Sequence, residues 1–154
     1  MRLFGHPVHP MLVAFPLGLL SLVPFWDALF WFDVLPAAVH VAYWTELAGL
    51  VGGALAVVTG IADLMGYADK PQVLATGLRH GFLAGIALSL FVVAFAIRSG
   101  SAAAPSLVVC VLDVLGAGCL AGVGWLGGHL VFHHRAGVEA ESARHASVAK
   151  PPSN

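Results

Sequence analysis

Four long apolar runs, each close to the length a helix needs to cross a lipid bilayer, divide this chain. A bilayer core of about 30 Å takes about 20 residues of helix. Met11 to Phe32 is the first run, interrupted by Asp27 near its end. Val41 to Met65 is the second, with Glu46 near its start and Asp63 near its end. Gly81 to Ile97, closed by Arg98, is the third. Leu107 to Phe132 is the fourth and carries Asp113 near its start. The intervening stretches, Asp33 to His40, Gly66 to His80 and Ser99 to Ser106, are short. The pattern predicts an all-α integral membrane protein, an up-and-down four-transmembrane-helix bundle. Its spans fall at about 11–32, 41–65, 81–98 and 107–132 within a domain of residues 1–138, followed by a disordered cytoplasmic tail at 139–154.

Composition agrees. Charged residues are 10% of the 154 and hydrophobic residues 59%, too little polar surface for a soluble domain of this size. A net charge of −1 argues against a nucleic-acid partner, which needs a basic face. Cys110 and Cys119 are nine residues apart in one apolar run, roughly 13 Å along a helix and too far for a disulfide. They read as packing residues. The first span is expected to stay in the mature protein, because it is long for a signal peptide and has Trp26-Asp27 where a small-residue cleavage site belongs.

Orientation follows from the cations. Residues 1–10, the 66–80 stretch and the tail share one side and hold Arg2, Lys70, Arg79, Arg135, Arg144 and Lys150, six of the seven Lys and Arg. Arg98 alone falls on the other side, so both termini are expected in the cytoplasm. Trp26, Trp31, Tyr43 and Trp44 gather at the far ends of spans one and two, as an interfacial aromatic belt does. Asp113 and Glu46, as acids inside spans, are functional candidates by default, and their place near the outer ends offers the simpler alternative that they reach water. Glycines recur at four-residue spacing at 49 and 53, 81 and 85, 118 and 122, and 124 and 128. Such spacing supports close helix packing, within one chain or in a homo-oligomer.

Six of the eight histidines fall at the cytoplasmic end: His6 and His9 in Gly5-His-Pro-Val-His-Pro10, His80 opening span three, and His129, His133 and His134 closing span four. His40 lies at the other end and His145 in the tail. The residue before proline is biased to extended backbone, so His6 and His9 are expected extended, with His9 capping span one. His129 and His133, four apart, share a helix face and suit a metal. Asp63 is placed to orient a ligating imidazole through its second ring nitrogen.

With GHPVHPMLVAFPLGLL near its start and GWLGGHLVFHHRAGV near its end, the chain resembles a bacterial membrane family known as domain of unknown function 2231, from about Leu3 to Val138. The resemblance implies a four-helix membrane protein. It also implies redox company, since some members are fused to Rieske-type or cytochrome-like domains. Members typically carry histidines matching His9, His80 and His134, which makes these the lead ligands. The sequence departs at Ala14, where many relatives have a second histidine, and at His129, where many have glutamate.

The expected function is a membrane-bound, bis-histidine b-type haem protein that carries electrons at the cytoplasmic end of the bundle. His9, His80, His134 and His129 are the candidate haem ligands. Spans one and three can be diagonal, so His9 can face His80, and His134 or His129 opposite His80 is the other axial pair. No Cys-x-x-Cys-His motif is present for covalent attachment. The alternatives are a zinc, copper or non-haem iron site on His9, His80 and His134, or a non-catalytic packing subunit of a larger membrane complex. His6, Asp63 and His133 are expected to support the ligands, and a Rieske-type or cytochrome-like protein is the expected redox partner. No catalytic residue is assigned, and an electron carrier or subunit fits better than a stand-alone enzyme.

Overall fold

The computed structural model describes residues 2, 3 and 6–136, with side chains from Val8 onward. Arg2–Leu3 and His6–Pro7, β1 and β2, form a small antiparallel pairing. Four helices follow: α1 Val8–Trp31, α2 Ala38–Met65, α3 Pro71–Ile97 and α4 Leu107–Phe132. All four are long and apolar enough to cross a membrane. In lipid an unpaired backbone amide has no water to bond, so helices that satisfy their own groups are the open solution for such runs.

The helices run up and down. α1 packs chiefly on α2 and α3 on α4, and the contacts α1–α4 and α2–α3 close the ring. α1 and α3 therefore stand diagonally. A small interior of Leu20, Val23, Ala87, Phe91 and Leu120 fills the centre. Phe15, Val58, Phe82 and Trp125 point outward, each about two-thirds exposed or more, where lipid would cover them. Part of the glycine pattern serves packing within the chain. Gly49 receives Leu20, Gly53 receives Leu88, Gly116 receives Phe91, and Gly122 receives Leu83. Gly81, Gly85, Gly118 and Gly124 face open space.

Three expectations are corrected. α3 starts at Pro71, ten residues before Gly81, so His80 lies more than two turns inside the helix and the 66–80 stretch shrinks to 66–70. Pro71 suits a first helical position because its missing N–H would be unpaired there anyway. His9 lies in the first turn of α1 and is helical, not extended. The pre-proline bias is only a preference, and Pro10 still sits where no intrahelical N–H donor is needed. The boundaries of α4 stand as expected.

The third correction concerns the outer acids. Glu46 and Asp113 do not reach water; both are 0% exposed. They converge with Asp27 on Arg98, which caps α3 and is itself 6% exposed. Arg98 grips Asp27 with two parallel bonds, Nη1 to Oδ1 at 3.0 Å and Nη2 to Oδ2 at 2.9 Å. Its Nε donates to Glu46 Oε2 at 2.8 Å and its Nη2 to Asp113 Oδ2 at 2.9 Å. One ionisable side chain from each helix meets here, and the planar guanidinium has enough fixed donors for all three carboxyls.

Candidate functional site

The opposite end of the bundle holds the histidines. His9 on α1 and His80 on α3 meet across the diagonal, ring centres 6.4 Å apart and ring planes at 87°. His9 Nδ1 donates to the Ala56 carbonyl of α2 at 2.9 Å and lies 3.3 Å from Thr59 Oγ1. His80 Nδ1 donates to the Val123 carbonyl of α4 at 3.1 Å. A carbonyl can only accept, so each Nδ1 carries the proton, and in the neutral ring each Nε2 carries a free lone pair. That is how proteins commonly prepare an imidazole to bind a metal: one nitrogen is fixed by the backbone and the other is offered.

Small residues make room for both rings. A Cβ built on Gly60 would lie 2.9 Å from His9 Cε1, and one on Gly127 would lie 3.4 Å from His80 Cε1. His9 thus rests on α2 and His80 on α4. Both rings are only partly exposed. Thr59 sends its own hydroxyl proton back to the α2 backbone, 3.1 Å from the carbonyls of Leu55 and Ala56. Gly60→Ala is expected to push the His9 ring off Ala56 without unfolding the helix. Histidine proton resonances of labelled protein in detergent should show His9 shifted and His40 unmoved.

The other candidates form a neighbouring group. His134 Nε2 lies 3.1 Å from Thr76 Oγ1, one turn before His80 on α3. The Thr76 hydroxyl donates to Gln72 O at 3.1 Å, so it accepts from His134. His129 stacks on His133 at 4.5 Å, both rings stand 5.0 Å from His134, and Trp125 stacks on His129 at 5.9 Å. Stacked rings present faces to each other, and their in-plane lone pairs do not converge. Partial burial, together with the imidazoles of His129 and His133, holds the His134 ring below the ordinary histidine range. Asp63 is half-buried on α2, one turn past Thr59. The side chain of His6 and the whole of His145 lie outside the described residues. Among those residues no set of three His, Cys, Asp or Glu is arranged to hold a metal ion.

Thr59, Thr76, Gly60 and Gly127 were not anticipated from sequence. The repeated Thr-Gly step, Thr59-Gly60 on α2 and Thr76-Gly77 on α3, was the available signal. In each case a hydroxyl meets a histidine ring from elsewhere in the chain, His9 of α1 and His134 just past the end of α4.

Comparison with known proteins gives one match. The family model described as predicted membrane protein DUF2231 covers residues 5–140. No curated protein and no solved structure matches the chain.

Proposed function

The chain belongs to the DUF2231 family of predicted membrane proteins, and from that premise we propose that it is a b-type haem protein that carries electrons at the bacterial cytoplasmic membrane. The observation behind this reading is the His9–His80 pair. Two backbone-fixed imidazoles from diagonal helices stand with ring centres 6.4 Å apart, and such a pair would be able to hold a haem iron. A structural zinc site takes four protein ligands. The described residues bring two imidazoles to this point, a donor set that would suit haem, whose iron needs few ligands from the protein.

His9 and His80 would hold the iron, and bound haem supplies one-electron chemistry. The carbonyls of Ala56 and Val123 accept from the two Nδ1 atoms and fix the ring orientations, so that in the neutral tautomer the Nε2 lone pairs are the ones left to bind iron. Gly60 and Gly127 keep the ring positions open, and the apolar helices around them exclude water. His134, one turn away on Thr76, lies beside this pair, and with His129 and His133 it lines the end where an electron partner would dock. That partner is a redox protein of Rieske or cytochrome type, or a larger membrane complex.

The expected result is that protein made in haem-replete cells carries one haem b per chain, released by acid because nothing binds it covalently. Colourless protein holding stoichiometric zinc or copper would replace this reading with a non-haem metal site. Protein holding neither would leave the packing-subunit role.

The histidine end is read as cytoplasmic. Six of the seven Lys and Arg belong to that side, and the seventh, Arg98, is spent inside the bundle. In a background with Cys110 and Cys119 replaced by alanine, Tyr67→Cys should resist an impermeant thiol reagent in intact cells, while Ser101→Cys should react. The reverse pattern would invert the protein in the membrane.

A further inference from the structure

The Arg98 cluster carries a charge imbalance. One guanidinium faces three carboxyls, so full ionisation would leave two negative charges in excess inside the bundle. Asp27 takes both arms of the Arg98 fork and is the natural ionised partner. The excess then falls on Glu46 and Asp113. Each uses one oxygen on Arg98, and the other, Glu46 Oε1 and Asp113 Oδ1, is buried with no hydrogen-bond partner. Asp27 and Asp113 bond the same nitrogen, which holds their oxygens within about 6 Å, where like charges disfavour joint ionisation. A buried, unpaired carboxylate neutralises sooner than it stays charged.

Neutralisation needs either a cation or protons. The guanidinium already occupies the point where the carboxyls converge, so a metal ion would have to sit against an arginine. Cys110 of α4 is a further ionisable group within electrostatic range of Asp27, Asp113 and Arg98, and as a thiol it adds no positive charge. We propose that Glu46 and Asp113 form a buried two-proton site, each carboxyl holding one proton at neutral pH beside the Arg98–Asp27 ion pair. Protonation converts each orphaned acceptor into an O–H donor that can bond a neighbouring carboxyl oxygen. The bundle thus has a proton site at one end and the histidine pair at the other. The proton site requires no cofactor and is independent of bound haem.

Infrared spectra of the full-length protein in detergent at pH 7, in H2O and D2O, test it. A protonated carboxyl C=O band should be present and shift in D2O. It should weaken in Glu46→Gln and in Asp113→Asn, and vanish in the double variant. Both single variants resemble the neutral acids and should fold and melt close to wild type, whereas Asp27→Asn should melt much earlier. The proposal is overturned if the wild type lacks the band, if the band survives in the double variant, or if Glu46→Gln and Asp113→Asn lose as much stability as Asp27→Asn.

Discussion

Replacing Arg98 with methionine is expected to cost the bundle about 3–5 kcal/mol, the range for removing one partner from a buried ion pair. The loss has two parts. Asp27 is left at 2% exposure with no counter-ion, whether it holds a costly charge or takes up a proton, and Glu46 and Asp113 lose the donors at 2.8 and 2.9 Å. Methionine restores the packing volume and none of the hydrogen bonds. Arg98→Lys should recover part of the loss, since an ammonium can pair with one or two carboxyls but cannot reproduce the fork on Asp27. Thermal melts of detergent-solubilised protein, followed by size-exclusion chromatography, read this directly. His40→Ala is the control, because His40 is exposed at the same end. Wild-type melting of Arg98→Met would mean that the cluster does not hold the four helices together.

The second large effect is expected at His80. His80→Ala should abolish bound haem or alter its spectrum, because it removes one of the two imidazoles that, among the described residues, meet across the diagonal. His9→Ala should act alike. His134→Ala removes a contact to Thr76, not a member of that pair, and should leave most of the haem in place. His40→Ala should leave all of it. Haem content per chain, with melting curves to show that each variant folds, separates these cases. Equal loss from His134→Ala and His80→Ala would move the site toward the His129–His133–His134 group.

Much of the fold was legible because the bilayer imposes a length rule. Runs of apolar residues marked all four helices, and α4 was placed to the residue. α3 was not, because Pro71 to His80 mixes Gln72, Thr76 and Arg79 among apolar residues, and hydropathy alone cannot separate an amphipathic first third of a helix from a loop. The His9–His80 meeting could be anticipated from alternation of the spans, since both residues had to lie at one end. The fixing of their rings could not, because the acceptors are the backbone carbonyls of Ala56 and Val123, which carry no sequence signature. The Arg98 cluster was hidden for a related reason. Its members, at 27, 46, 98 and 113, looked like four separate charges near span ends, and only helix rotation decides whether such charges face water, lipid or one another.

The absorption spectrum of wild-type protein purified from haem-replete cells tests the central claim most directly. The account predicts sharp visible bands in the dithionite-reduced state that are unchanged by carbon monoxide, because His9 and His80 would fill both axial positions. A protein without visible absorption, carrying stoichiometric zinc or copper, would contradict it.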